Sequence, residues 1–371
     1  MLHGKDINKV SELKNGFTPR WVEPDFISSS LKCFSFSELC KVVADLKVKG
    51  YGFEFVMTVL LSMPFIAASS VNSMLNGCVQ HHIVAGKDTF YRLKNNRSIC
   101  WRMLLWSFAA KFKTLADSCL DNTDKPRCMV FDDTLLPKTG KAIEMVSRVY
   151  DHVAQRYVLG IRLLLMGYWD GVSFIPLDFS LHREKGKNKE KPFGLTKKEL
   201  KKQHKTKRQS GSFSDERAKE ADMSKIDCAI KMFRRAIAQG FKVDYVLVDS
   251  WFTCEAFVNA VLSVKKQTVH LIGMYKTAKT RFLYNGGHLT HKEIRNMLGK
   301  PKRCRKLGFY YNEALVRFKG KPIKLFFSKQ GKNGKWKVFL CTDTKLSFIK
   351  MIEIYQVRWT IEVFFKESKQ L

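Results

Sequence analysis

The stretch IKMIEIYQVRWTIEVFFKESKQL, residues 349–371, is predicted to form one amphipathic helix. An α-helix advances about 100° per residue, so one wedge roughly 80° wide collects its polar side chains, Tyr355, Arg358, Glu362, Lys366 and Lys369. The opposite side has the apolar spacing of a helix packed on a core, with Ile354, Val357, Ile361, Phe364 and Phe365. The helix would be anchored on one side and present its charged groups on the other. An ordinary solvated face is the alternative interpretation.

The spacing of the polar residues is more specific than their charge. Tyr355-x2-Arg358-x3-Glu362-x6-Lys369 matches in full a signature of bacterial insertion-sequence transposases, and the chain resembles that family. Its members carry an Asp-Asp-Glu triad on a ribonuclease-H-like fold and cleave and join DNA at the ends of the element. The resemblance implies that Tyr355, Arg358 and Lys369, with the neighbouring Lys366, contact DNA.

Two acidic residues follow the first strand predicted after the amino-terminal region. The run CMVFDDTLLPKTGK predicts a strand from Cys128 to Phe131 that ends at Asp132 and Asp133. Two apolar runs then flank Asp170-Gly171, which is a strong hairpin signal. A strand ending in Asp and followed by a hairpin resembles the start of the ribonuclease-H sheet.

A third acidic position follows a second apolar strand. In VDYVLVDSWF, a nearly continuous apolar run ends at Asp249, and ligand groups collect at this end of strands in open α/β sheets. Capping of the following helix is the alternative role for a lone Asp at this position.

The resemblance assigns the chemistry to these acids and to Glu362. It implies two Mg²⁺ or Mn²⁺ ions per site, held by the Asp pair, Asp249 and Glu362. Two cations about 3.5–4 Å apart can activate a nucleophile and stabilise the leaving oxygen of a phosphodiester. Spacing leaves both Asp132 and Asp133 open as the ligand, and we favour Asp132 because it directly continues the apolar strand.

The composition favours a polyanionic partner. The 371 residues contain 66 Lys and Arg against 34 Asp and Glu, a formal net charge of +32. Such an excess favours nucleic acid, because neutralising phosphates releases counterions. Nucleic acid is therefore the expected partner, and the resemblance implies that it is double-stranded DNA, as element ends and target. The resemblance adds a homodimer in the synaptic complex, and neither a membrane nor a small-molecule substrate is expected.

Cysteine usage and the amino terminus favour a cytoplasmic protein, and the resemblance to a bacterial family implies association with the nucleoid. The 10 cysteines include no C-x2-C pair, which argues against a zinc cluster and fits reduced thiols. The amino terminus lacks the apolar segment of a secretory signal.

The predicted fold class is α/β: a ribonuclease-H-like mixed sheet with helices, a β-rich insertion before the last catalytic helix, and an N-terminal helical domain. Helices are predicted in residues 35–50, 53–63 and 65–77. Asp88 or Thr89 would cap a short helix whose exposed Arg92 and Lys94 could read DNA, although a plain helical bundle fits equally well. The expected divisions are 1–124 (helical, DNA-binding), 125–267 (catalytic core, first part), 268–344 (β-rich insertion) and 345–371 (last core helix).

Two further expectations concern a basic segment and the carboxyl end. Residues 183–208 contain twelve Lys or Arg against three Glu and are predicted to form a solvated, mobile loop. The sequence ends nine residues after Glu362 without a helix-stop signal, so we expect a truncated copy of uncertain activity. The alternatives to an active transposase are an inactive DNA-binding remnant and a ribonuclease-H-type nuclease without strand transfer.

Overall fold

The computed structural model describes residues 24–41, 47–48, 50–77, 85–119, 125–276 and 280–369. The amino-terminal segment, Cys78 and the last two residues of the predicted final helix lie outside these ranges. The chain divides into two compact units, Met1–Leu115 with Gln370–Leu371, and Ala116–Lys369.

The first unit is mostly helical in its described part. Its elements are α1 (Pro24–Cys33), α2 (Phe36–Lys41), β1 (Lys47–Val48), β2 (Tyr51–Gly52), α3 (Phe53–Ser62), α4 (Val71–Leu75), α5 (Lys87–Lys94) and most of α6 (Trp101–Cys119). Phe36, Val56, Phe90 and Leu93 belong to one buried apolar cluster.

Two expectations for this unit were wrong. Residues 35–50 are not one helix, because Lys47–Val48 pairs with Tyr51–Gly52 in a hairpin whose Gly50 has a φ of +86°. That left-handed conformation suits glycine and ends any helix. Neither Asp88 nor Thr89 caps α5, since Gly86 is the N-cap and Thr89 is buried.

The second unit contains a twelve-stranded mixed sheet. Its strands are β3 (Cys128–Pro137), β4 (Ser147–Asp151), β5 (Arg156–Trp169), β6 (Phe174–His182), β7 (Tyr245–Val248), β8 (His270–Tyr275), β9 (Arg281–Tyr284), β10 (Gly287–Thr290), β11 (Lys302–Cys304), β12 (Phe309–Phe318), β13 (Lys321–Gln330) and β14 (Lys337–Cys341). Its helices are α7 (Lys197–Lys201), α8 (Phe213–Glu220), α9 (Lys225–Ala238), α10 (Glu255–Leu262), α11 (His291–Met297), α12 (Phe348–Gln356) and α13 (Trp359–Ser368).

The strand order places β3 in the interior of the sheet, between β7 and β5. The order is β10-β9-β12-β13-β14-β8-β7-β3-β5-β4, with β11 on β12 and β6 on β5. Strands β3, β7 and β8 are parallel neighbours, whereas β5 and β14 run antiparallel to them. The strands after β8 continue the same sheet.

Helices α12 and α13 cover one face of this sheet. Val130, Leu247 and Ile272 from the parallel strands share a buried cluster with Ile354 and Ile361 from the two helices. The apolar side predicted for residues 349–371 therefore does face a core. This packing fixes the polar side of the same segment against the end of the parallel strands.

The predicted single final helix is interrupted. α12 ends at Gln356 and α13 begins at Trp359. Between them the backbone forms hydrogen bonds of the 3-10 type, from the amide of residue i+3 to the carbonyl of residue i. Arg358 N donates to Tyr355 O at 3.0 Å, and Thr360 N donates to Val357 O at 3.0 Å. These bonds tighten one turn. Apolar periodicity does not register such a local change, because both sides of the turn keep their apolar face on the core.

Two other expectations were also wrong. Strand β3 does not end at Phe131 but continues to Pro137, because all ten of its residues pair with β5. Residues 183–208 are not one loop: Thr196 and Glu199 form a capping box that starts α7. Leu195 is buried with Val146 and Leu159, so this basic segment is anchored on the sheet.

Several elements were confirmed, including the β5–β6 hairpin around Asp170-Gly171, helix α9, and strand β7 ending before Asp249. Strand β4 and helix α8 were not anticipated. No helix among the described residues is long and apolar enough to cross a membrane.

Candidate active site

One guanidinium group joins two acidic residues that are far apart in sequence. Arg358 Nη1 donates to Asp132 Oδ2 at 2.9 Å, across 226 residues. Arg358 Nη2 donates to Glu362 in a short contact one helical turn away. The Arg358 side chain is 13% exposed and that of Glu362 33%, so Glu362 is the more accessible of the pair.

Asp249 lies at the same end of the parallel strands. Its Oδ1 accepts hydrogen bonds from the amides of Trp251, at 2.9 Å, and Phe252, at 3.3 Å. Helix α10 begins only at Glu255 and has Cys254 as its N-cap, so Asp249 stabilises a turn and does not cap that helix. Its Oδ2 has no hydrogen-bond partner within the described part of the chain.

Electrostatics shows that these carboxyl groups affect one another. Burial raises the pKa of Asp132 to about 6, with Asp249 and Asp133 adding to the rise and Arg358 opposing it. Burial likewise raises the pKa of Asp249, and the Asp133 charge adds to that rise. Acids with raised pKa values from burial and like charge are typical of functional sites.

Asp133 has different partners from its neighbour. Successive residues of a strand face opposite sides of a sheet. Asp133 forms an ion pair with Arg162 at 2.9 Å and a short one with Lys225 of α9. Arg162 is itself bound by Glu184 at 2.9 Å and by the carbonyl of Tyr150 at 2.8 Å.

Arg162, Glu184 and Lys225 were missed by sequence reasoning. A signal for Arg162 was present, since it interrupts the apolar run GIRLLLMG. A buried Arg almost always has an acidic partner. Periodicity does not indicate which acid that is.

The other predicted site residues have different surroundings. The Tyr355 hydroxyl donates to the carbonyl of Val248 at 3.1 Å, and burial raises its pKa to about 12. Lys369 Nζ donates to Thr134 Oγ1 at 2.6 Å, beside the Asp pair. Lys366 is exposed on α13. Arg92 and Lys94 are exposed on α5 in the other unit.

A divalent cation fits the donor chemistry of this cluster. Carboxylate oxygens are the ligands that Mg²⁺ and Mn²⁺ prefer. As the side chains stand, no three His, Cys, Asp or Glu residues in the described ranges are arranged to hold one ion. Asp132 and Glu362 instead share a positive partner, the Arg358 guanidinium.

Comparison with known families assigns the chain. The family model described as DDE superfamily endonuclease matches residues 68–293, which is more than half of the sequence. The chain belongs to this family. The matched region contains the Asp pair and Asp249 but ends before Glu362. Membership supports a nuclease domain acting on nucleic acid, and nucleases of this family typically use divalent metals.

Two further comparisons, with solved structures and with curated proteins, do not narrow the family assignment. Among solved structures, the NurA nuclease from Sulfolobus solfataricus matches with 11% identity, covering 64% of this chain and 74% of that one. The TM-score of this match is 0.27. No curated protein matches the sequence.

Proposed function

We propose that the chain is a DNA transposase that cleaves DNA at the ends of an insertion sequence and joins them to a target. The observation that carries this proposal is the bridge from Arg358 to Asp132 and Glu362, beside Asp249. Two strands and one helix thereby bring three acids to one edge of a mixed sheet. This arrangement is what a ribonuclease-H-like core with a DDE triad requires.

Asp132, Asp249 and Glu362 are the proposed ligands for two Mg²⁺ or Mn²⁺ ions. When bound, such ions activate the attacking hydroxyl and stabilise charge on the leaving oxygen. Asp249 is held for this role by two backbone amides, which fix Oδ1 and leave Oδ2 available. Glu362 has the most exposed carboxylate of the Arg358 bridge, and its position on α13 is fixed by buried Ile361 and Phe365.

Asp132 is preferred to Asp133 as the metal ligand because the two acids have different partners in the structure. Asp133 already has two cationic partners, and Arg162 is 9% exposed. The negative charge of Asp133 is therefore used to stabilise the fold. Asp132 faces the same side of β3 as the core residue Val130, toward α13, where Glu362 lies. Asp133 then supports the site by holding β3, β5 and α9 together.

Arg358, Tyr355, Lys366 and Lys369 are the proposed phosphate contacts. Arg358 has a forked set of donors suited to phosphate oxygens, and its Nε has no partner among the described residues. Lys369 and Thr134 lie next to the Asp pair, where the backbone of a cleaved strand would pass. Tyr355 positions this turn through its bond to Val248.

The partners follow from the same proposal. Double-stranded DNA would bind as element end and as target, drawn by the net charge of +32. A homodimer would pair two ends in the synaptic complex. The expected location is the bacterial cytoplasm, in association with the nucleoid.

The test uses duplexes taken from the DNA that borders the gene. Incubation with Mg²⁺ should give cleaved ends and molecules joined to a second duplex, and EDTA should abolish both products. Binding without any nick would favour the inactive remnant. Cleavage without joined molecules would favour a ribonuclease-H-type nuclease.

The first unit is proposed to contribute DNA binding through α5. Arg92 and Lys94 are exposed on one short helix, which is anchored by the buried Phe90 and Leu93. We expect the double variant Arg92→Gln/Lys94→Gln of the full chain to bind duplex DNA more weakly, with the log–log salt slope reduced by about 2. Titration of labelled DNA at several salt concentrations measures both. An unchanged slope would make α5 a structural helix.

A further inference from the structure

Cationic and aromatic side chains alternate along one row of the sheet, away from the acidic cluster. The register pairs Arg303 of β11 with Tyr310 of β12, and Tyr310 with Lys329 of β13. Lys329 Nζ lies 5.2 Å from the centre of the ring of Trp336, the residue just before β14. Arg295 of α11 lies 5.3 Å from the same ring. We call these five residues the basic stripe.

Every ring in the basic stripe lies between two cations. Tyr310 has Arg303 at 5.9 Å and Lys329 at 5.7 Å from its ring centre. Contacts of a cation with an aromatic face hold the long side chain extended. A flexible Lys or Arg side chain loses conformational entropy when it binds an anion. Here part of that entropy is already lost in the free protein, so binding costs less.

The stripe cations are not neutralised by acids. In the described ranges no carboxylate forms a salt bridge with Arg295, Arg303 or Lys329, while Glu313 is taken by Lys302 and Lys324. Lys329 Nζ donates to the carbonyl of Lys332, at 2.5 Å. Residues 268–344 hold eighteen Lys or Arg against three acids. Three positive charges in a row, without an acidic partner in the part of the chain that the structure describes, match the regular negative charges of a polynucleotide backbone.

The basic stripe is distinct from the proposed catalytic cluster. Tyr311 stacks on Phe348 of α12 at 4.1 Å, so its neighbour Tyr310 faces the opposite side of the sheet. Asp132 faces the side covered by α12 and α13. A strand bound along the stripe would therefore be a second stretch of nucleic acid, separate from the one at the carboxylates.

We propose that the basic stripe binds the sugar–phosphate backbone of DNA, as a second contact for the substrate of the proposed transposase. This inference rests on the proposed function only in taking DNA as the ligand. The cations contact phosphates, and the rings of Tyr310 and Trp336 hold those cations in place.

The test measures binding of labelled 30-base-pair DNA to the full chain in EDTA, where no cleavage interferes. We expect Arg303→Gln/Lys329→Gln to weaken binding roughly tenfold near 100 mM salt and to reduce the salt slope by about 2. The matched control is Arg317→Gln/Lys321→Gln. It removes one Arg and one Lys from the far end of the same β12–β13 hairpin, roughly 24 Å from Tyr310 along the strand. The control should bind like the native chain.

Variants of the aromatic residues show whether DNA binding depends on how the rings order the cations or on the positive charge alone. Trp336→Leu should weaken duplex binding several-fold while leaving the salt slope unchanged, and Trp336→Phe should restore most of the affinity. Thermal unfolding of each variant shows whether it is folded. Equal losses in the stripe and control variants, or no loss in Trp336→Leu, would overturn the proposal. A loss in Trp336→Leu confined to single-stranded DNA would also overturn it, since the ring would then stack on bases.

The outcome is independent of catalysis. A chain that binds through the stripe but never nicks DNA would refute the proposed function and keep the stripe. If instead Arg303→Gln/Lys329→Gln bound DNA as tightly as the native chain and cleaved it at the native rate, the stripe proposal would be refuted and the proposed function would stand.

Discussion

Replacement of Asp132 by Asn, or of Glu362 by Gln, is expected to lower the rate of DNA strand cleavage about 10³-fold or more. Each change removes a proposed cation ligand, and a catalytic cation contributes several kcal/mol to transition-state stabilisation. Neither change adds negative charge, so affinity for DNA should stay the same or rise. Single-turnover cleavage of end-containing duplexes in Mg²⁺, together with a binding titration, measures both effects.

Matched controls make this prediction specific to the cluster. Glu367→Gln removes an exposed carboxylate from the same helix as Glu362 and should cleave at the native rate. Asp133→Asn tests the other member of the Asp pair. It should destabilise the fold by about 3 kcal/mol, because Arg162 and Lys225 lose a shared partner. Its folded fraction should still cleave. If Asp133→Asn abolished cleavage and Asp132→Asn did not, the assignment of the ligand would be reversed.

The Asp132→Asn variant is also expected to be more stable than the native chain at neutral pH in EDTA. The pKa of Asp132 rises from 3.8 to about 6 on folding, chiefly by burial. An acid with a raised pKa destabilises the folded state when it is charged, and this shift corresponds to roughly 3 kcal/mol. The cost is fully present above about pH 6. It shrinks as the pH falls and is absent below 3.8, where the carboxyl group is protonated in both states.

Urea unfolding at several pH values tests this expectation. The stability difference between Asp132→Asn and the native chain should be largest at pH 7–8 and close to zero near pH 3.5. Mg²⁺ should stabilise the native chain at neutral pH, because ligands that bind only the folded state add stability, and should stabilise Asp132→Asn much less. A variant less stable than the native chain at pH 7 would show that the Arg358 contact outweighs the cost of burying Asp132.

Local patterns in the sequence determined many of the elements. The apolar runs around Asp170-Gly171 predicted the β5–β6 hairpin, and VDYVLV predicted the buried strand before Asp249. The apolar side of residues 349–371 was placed on a core by its spacing alone. Helix α9 was found in the same way. These features depend on neighbours within one or two turns or on strand alternation, which sequence reports directly.

Pairing between distant segments decided the rest. Strand β3 runs past Asp132 because β5 pairs with all ten of its residues, and no local signal encodes that length. The basic run at 183–208 is ordered because Leu195 finds an apolar pocket formed by Val146 and Leu159. Its charge pattern predicted the opposite.

The two adjacent acids show the same division most clearly. The sequence alone identified Asp132, Asp133, Asp249 and Glu362 as candidates and left the Asp pair open. Only the tertiary structure shows that Asp133 pairs with Arg162 and Lys225, whereas Asp132 pairs with Arg358. The physical reason is that neighbouring residues of a strand face opposite sides of a sheet. Which side holds α9 and which holds α13 depends on how helices distant in sequence pack, and that packing sets the partner and the pKa of each acid.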